Sequence, residues 1–167
     1  MIQSEKSGIM FTLDPMTNDE SKIVIEAGWG LGEAIVSGSI TPDRYVVEKS
    51  NFKILEKNLN SQPWKIAKVG GENKHLSVPK SEQKAQKLTD EEIIEVAKLG
   101  KEIEDHYKFP QDTEWAIEHG KVYFVQSRPI TTLNAKSSEN VIASEAKQSN
   151  GDGIAASPSA PLIHGRN

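Results

Sequence analysis

The sequence predicts an α+β fold, on three observations. Short runs rich in β-branched and aromatic residues recur along the N-terminal half, separated by Gly, Pro, Asn and Asp. One long stretch, from about Asp90 to Tyr107, carries helical periodicity. After it, two β-rich runs lie close enough to form a hairpin, Asp112 to Ile117 and Val122 to Pro129.

Taken in order, Ser7-Gly8-Ile9-Met10-Phe11-Thr12-Leu13-Asp14-Pro15 reads as an apolar strand ending in a proline turn. Lys22 to Ala27 reads as a second strand after the polar turn Thr17 to Ser21, and the two are candidates to pair. Gly28 to Gly38 then carries several glycines from a strand into a short helix. Free amides at a helix start attract anions, and glycine admits a phosphate close to the backbone. The spacing is neither a Walker loop nor a dinucleotide fingerprint, however, and a strand-to-helix turn calls for glycine on conformational grounds alone. Glu33 fits a helix N-terminal charge as well as it fits a ligand.

Beyond Thr41-Pro42-Asp43, Arg44 to Lys49 and Phe52 to Lys57 read as a hairpin across Ser50-Asn51. From Asn58 to Lys87 the chain is polar and lysine-rich, with strand-like pieces at Trp64 to Val69 and His75 to Val78. This stretch is expected at the periphery, with its lysines solvated. The helix that follows opens on a capping box, Thr89 with Glu92, and presents Ile93, Val96, Ala97, Gly100, Ile103 and Tyr107 on one face. Phe109-Pro110 ends it. His106 suits the C-terminal end of the helix dipole, and His75, His119 and His164 lack ligand spacing.

The C-terminal hairpin concentrates the candidate chemistry. Asp112, Glu114, Gln126 and Arg128 put two carboxylates, an amide and a guanidinium on adjoining strands. Magnesium takes oxygen ligands, one or two from protein with phosphates and waters completing the octahedron, and an arginine fork neutralises a terminal phosphoryl group. The alternative is that these residues are the solvated face of an ordinary hairpin. Register decides whether they share a surface. A two-residue loop, His119-Gly120, sets Glu114 opposite Val125 and turns it away from Gln126 and Arg128. A three-residue loop, Glu118 to Gly120 with Gly120 left-handed, sets Glu114 opposite Phe124 and Asp112 opposite Gln126. It also gathers Trp115, Ile117, Tyr123 and Val125 on an apolar face. The three-residue loop is preferred because it segregates polar from apolar side chains.

Composition bounds the rest. At 36% hydrophobic, 26% charged and net charge -4, the chain reads as a soluble protein, and no apolar run approaches the roughly 20 residues of a membrane span. No signal peptide precedes the first strand. With zero cysteines, a disulfide framework and thiolate metal sites are excluded, and a reducing cytoplasm is the expected location. No basic stripe interleaved with aromatics favours nucleic acid. Residues 134–161 are rich in Ala, Ser, Asn, Gly and Pro with few large apolar residues, and 134–167 are expected to form a linker or disordered tail after a domain covering 1–133.

Several of these stretches together resemble one family. They are Ser7 to Pro15, Glu26-Ala27-Gly28-Trp29-Gly30-Leu31-Gly32-Glu33 with Gly38 and Thr41-Pro42-Asp43, then Asp112-Thr113-Glu114-Trp115 and Gln126-Ser127-Arg128-Pro129. In this order and spacing they resemble the nucleotide-binding domain of the phosphoenolpyruvate synthase and pyruvate phosphate dikinase family, to which rifampicin phosphotransferase is related. The resemblance implies the C-terminal part of an ATP-grasp domain, with ATP held between two lobes. It implies ATP and Mg2+ as cofactors. Asp112, Glu114, Gln126 and Arg128 would bind the nucleotide, with Glu114 and Gln126 at the metal.

The reaction implied for the full enzyme converts ATP, pyruvate and water to AMP, phosphoenolpyruvate and phosphate through a histidine on a swivelling domain. The family's N-terminal lobe has no counterpart here, and Met1 corresponds to a position inside the domain. Gly153-Ile154-Ala155-Ala156-Ser157-Pro158 resembles the start of the swivelling domain, while Leu162-Ile163-His164-Gly165-Arg166 departs from its histidine motif. The expectation is therefore a fragment whose pyruvate site and acceptor histidine lie on missing partners. A rifampicin-type acceptor and a non-catalytic nucleotide-binding remnant are the alternatives. Phosphoryl transfer draws on positioning from both lobes and an acceptor. The isolated chain is accordingly expected to form no AMP in a pyruvate-dependent assay, and clear turnover would overturn the fragment reading.

Overall fold

The order of the strands in the sheet follows from two hairpin-like runs joined by one long excursion. The computed structural model describes residues 2–131. The expectations for residues 134–167, a tail and the start of a swivelling domain, lie outside the described residues. The elements are β1 (Lys6–Phe11), β2 (Lys22–Trp29), α1 (Glu33–Val36), β3 (Asp43–Glu48), β4 (Ile54–Asn58), β5 (Trp64–Val69), β6 (Glu72–Ser77), α2 (Asp90–Tyr107), β7 (Gln111–Glu118) and β8 (Lys121–Pro129).

β1 to β4 form an antiparallel meander, as their short turn-separated runs suggest. After the excursion through β5, β6 and α2 the chain returns to the open edge of β1, giving the order β4-β3-β2-β1-β7-β8 with every pairing antiparallel. β5 and β6 make a separate two-stranded hairpin. The described residues thus form an α+β fold with antiparallel sheets.

One face of the sheet carries the main core. Met10, Ile23, Ile25, Tyr45, Val47, Trp115 and Ile117 alternate along their strands, as a half-covered strand requires, and pack on Ile93, Val96 and Ala97 of α2. The capping box at Thr89 and Glu92 is formed, and Lys108 closes the helix in the left-handed conformation at φ 59°. Gly100 lets the helix approach the sheet, since a Cβ there would stand 2.1 Å from Met10 Cε. Tyr107, expected on the buried face, is exposed in the last turn of the helix, with its ring set edge-on to His106. On the opposite face a smaller cluster of Ala34, Ile35, Ile40 and Ile66 packs against Ile9, so α1 and β5 cover part of that side.

The excursion is less peripheral than its composition suggests. Lys87 is fully buried, contrary to the expectation that the lysines of this stretch are solvated. Its Nζ lies 2.9 Å from Asp43 Oδ1 and also donates to the Asn60 carbonyl. Asp43 accepts further bonds from Tyr45 Oη at 2.8 Å, Asn60 N–H at 2.8 Å and Lys87 N–H at 3.1 Å. A buried charge persists only when paired and hydrogen-bonded in this way.

Gly8, in the middle of β1, is required by close packing. A Cβ there would lie 1.7 Å from the Glu26 carbonyl oxygen and 2.6 Å from Trp115 Cζ2. Neither backbone nor a fully buried indole can yield that distance, so Gly8→Ala is expected to cost about 3 kcal/mol or more. Gly38 has open space around it and only a positive φ of 71° to satisfy, so Gly38→Ala is expected to cost about 1 kcal/mol. Urea unfolding of the two variants should rank them in that order.

Candidate functional site

The register of β7 against β8 sets which side chains can meet. The turn is the two-residue His119-Gly120 loop, with Glu118 paired to Lys121 and φ of 50° and 72°, the two positive values of a type I′ turn. The three-residue loop preferred from the sequence is thus not formed: the I′ turn matches the twist of the strands, and His119 as well as Gly120 takes positive φ. Carried through unchanged, this register would oppose Glu114 to Val125. Instead the ladder shifts between Trp115 and Glu114, leaving Val125 as the extra residue of a β-bulge.

Beyond the bulge Glu114 pairs with Gln126 and Asp112 with Arg128. Directly paired residues share a face, so all four sequence-selected residues line one side of the sheet. The segregation anticipated from the sequence is achieved by a different route. It also changes the apolar set: Trp115 and Ile117 are joined at the core by Val122 and Phe124, not by Tyr123 and Val125. Val125 is exposed.

Arg128 donates to Asp112 Oδ2 at 2.9 Å. Arg128 is 59% exposed while Asp112 is mostly covered at 22%, so solvent screens the pair from the arginine side and the guanidinium stays open to another anion. Glu114 is half-buried and Gln126 exposed. In β1, Phe11 pairs with Asp112 and Ile9 with Glu114, and Ile9 pairs in turn with Glu26 of β2. Burial raises the Glu26 carboxyl above its ordinary value, an effect that nearby Arg44 opposes. Arg44 is itself held by Asp14 at 3.4 Å and Glu56 at 3.6 Å.

A cavity of about 600 Å³ adjoins this strip. Glu114 and Val125 form one wall, and the glycine turn with the start of α1, from Leu31 to Glu33, forms another. Lys68 and Asn73 of the β5–β6 hairpin also line it, and Asn73 Nδ2 donates to Glu33 Oε2 at 3.3 Å. The glycine turn is tied down on three sides. Gly30 N–H donates to Glu5 O at 2.9 Å, Leu31 N–H to Ile66 O at 2.8 Å, and Trp29 N–H to Gln62 Oε1 at 2.8 Å. Sequence reasoning missed the contribution of the β5–β6 hairpin. Its available signal was Gly70-Gly71, both at positive φ, which marks a tight turn between two strands.

Among the described residues, no cluster of three or more His, Cys, Asp or Glu could hold a metal by itself, and no helix is long and apolar enough to cross a membrane. The donor set nevertheless fits magnesium. The ion takes one or two protein oxygens and leaves the remaining positions to phosphates and water, and Glu114 opposite Gln126 offers a carboxylate and an amide oxygen on one face.

The sequence matches the family of the pyruvate phosphate dikinase AMP/ATP-binding domain over residues 1–149. It is 46% identical to a probable phosphoenolpyruvate synthase of Pyrococcus abyssi, over 95% of this chain and 20% of the relative. Identity to the phosphoenolpyruvate synthase of Pyrococcus furiosus is 48%, over 89% of this chain and 19% of the relative. Rifampicin phosphotransferase of Bacillus subtilis is 42% identical over 80% of this chain and 15% of its own length. The chain thus spans about a fifth of the phosphoenolpyruvate synthases.

Glu26 gives the face a pH signature. Its folded pKa lies above its ordinary 4.5, so the folded chain binds this proton more tightly than the unfolded one. Stability therefore falls as pH rises from about 4.5 through the folded value, and the penalty is complete above it. Glu26→Gln is expected to be more stable than the wild type at pH 7 and to lose that advantage below about pH 4.5. Thermal melts across this range should display the crossover.

Proposed function

The chain belongs to the family of the pyruvate phosphate dikinase AMP/ATP-binding domain, and on that premise we propose that it is the nucleotide-holding part of a phosphoenolpyruvate synthase-like phosphotransferase. The observation that carries this reading is the strip Asp112, Glu114, Gln126 and Arg128, brought onto one face beside an open cavity. The family fold proposed is ATP-grasp, of which residues 1–133 would be the C-terminal part.

Each residue has a role suited to its chemistry. Arg128 would hold terminal phosphates by a charge-assisted, bidentate contact, with Asp112 orienting its guanidinium from 2.9 Å. Glu114 and Gln126 would hold Mg2+ against the phosphate oxygens. The ion, when bound, would neutralise charge on the polyphosphate. The apolar wall of the cavity, with Ile2, Leu31, Val36 and Val125, suits a purine base next to a phosphate grip. The pyruvate site and the acceptor histidine would belong to other parts of a larger assembly. The absence of cysteine fits a cytoplasmic location. A rifampicin-type acceptor is the second reading, supported by the 42% identity to that enzyme, and it differs only in the module that receives the phosphoryl group.

Calorimetric titration tests the grip. Mg-ATP should bind the wild-type chain, and Arg128→Ala should weaken binding about tenfold or more, the scale of a lost charge-assisted contact. Chelating the metal should weaken the wild type and change Glu114→Gln far less. Glu91→Gln, a surface control on α2, should match the wild type. No binding by the wild type, or equal binding by wild type and Arg128→Ala, would refute the reading.

A further inference from the structure

β8 changes register at Val125, and the shifted register beyond it has to be held in place. A one-residue slip that removed the bulge would pair Asp112 with Ser127 and turn Gln126 and Arg128 to the α2 side of the sheet. On the nucleotide side, the Asp112–Arg128 pair opposes that slip, screened by solvent on the side of the 59% exposed arginine. A second restraint lies on the opposite face.

Gln111 is only 2% exposed. Its N–H donates to Thr12 Oγ1 at 2.8 Å, its carbonyl accepts from Thr12 N–H at 3.0 Å, and its Nε2 donates to the Phe109 carbonyl at 3.0 Å. Gln111 is therefore fixed by Thr12, just past the end of β1, and by Phe109, just before β7, with Oε1 left for β8. That oxygen accepts from Ser127 Oγ at 2.8 Å. Ser127 stands between Gln126 and Arg128 in sequence, so the clasp fastens the strand at the point between the two residues assigned to the metal and phosphates.

We propose that Gln111 and Ser127 are positioning residues whose hydrogen bond locks β8 in the bulged register and so aims Gln126 and Arg128 at the nucleotide. The proposal rests on the nucleotide reading above, but the lock itself can be observed without nucleotide. In the slipped register the Ser127 hydroxyl would face Asp112 on the other side of the sheet, and Gln111 would lose its partner. Beyond the bulge the same register is also met by the Arg128–Asp112 pair on the other face and by the Ile130 N–H bond to the Pro110 carbonyl at 2.9 Å, past the strand's end.

The test uses the full chain and the substitutions Ser127→Ala and Ser127→Thr, at a position exposed enough for both to fold. Cross-strand backbone nuclear Overhauser effects read the register, and Mg-ATP titration reads the grip. Ser127→Ala should give a second set of contacts pairing Asp112 with position 127 and bind Mg-ATP about fivefold more weakly, in line with the loss of one hydrogen bond. Ser127→Thr keeps the hydroxyl and should match the wild type in both. Contacts in Ser127→Ala that pair Asp112 with Arg128 alone would overturn the lock. So would a Ser127→Thr variant as impaired as Ser127→Ala, which would mark a merely structural role. If the wild type fails to bind Mg-ATP, the nucleotide reading falls, and the backbone contacts alone uphold or overturn the lock.

Discussion

The register of β7 on β8 is the constraint from which core and candidate site both follow. β7 writes two messages in alternate residues, Trp115 and Ile117 to the core and Asp112 and Glu114 to the other face. β8 has to answer both, but the tightest hairpin turn puts it out of phase for the second. The bulge at Val125 resolves the conflict: residues nearer the turn answer the core, and residues beyond it answer the polar face. An extra residue in a strand costs ladder hydrogen bonds. Its presence here, next to the candidate site, is what turns a hairpin surface into a grouped set of acid, amide and guanidinium.

A second constraint is the buried Asp43–Lys87 pair. Between β4 and α2 the chain leaves the sheet, makes its own hairpin and returns. Lys87 stands two residues before the helix N-cap Thr89, and its bonds to Asp43 and Asn60 fix where the excursion leaves and where it re-enters. Tyr45 joins the same network, and burial pushes its hydroxyl well above the ordinary value. A buried pair of this sort is weak evidence for added stability. Its consequence here is placement, since β5 then lies where Ile66 can pack beneath α1 and Lys68 and Asn73 can line the cavity.

The two faces of the sheet thus divide the labour. α2 covers one face and supplies apolar burial. Among the described residues the other is covered in part by α1 and β5, beside a polar strip and a cavity whose walls come from four separate parts of the chain. The proposed function gives these features a common reading, a nucleotide with its phosphates over the strip. The chain spans about a fifth of the length of the synthases it matches.

How much of this was legible in the residues alone differs by element, for physical reasons. α2 was readable to its N-cap because capping and amphipathic periodicity are local properties of the sequence. The β1–β2 and β3–β4 pairings were readable because short turns leave adjacent strands few alternatives. Asp112, Glu114, Gln126 and Arg128 could be selected as a group from residue type and spacing. Their shared face could not be derived correctly, since a bulge is decided by which register satisfies the core and the turn together. The burial of Lys87 was likewise invisible: its partner Asp43 is 44 residues away in sequence, and only the folded sheet brings the two charges together.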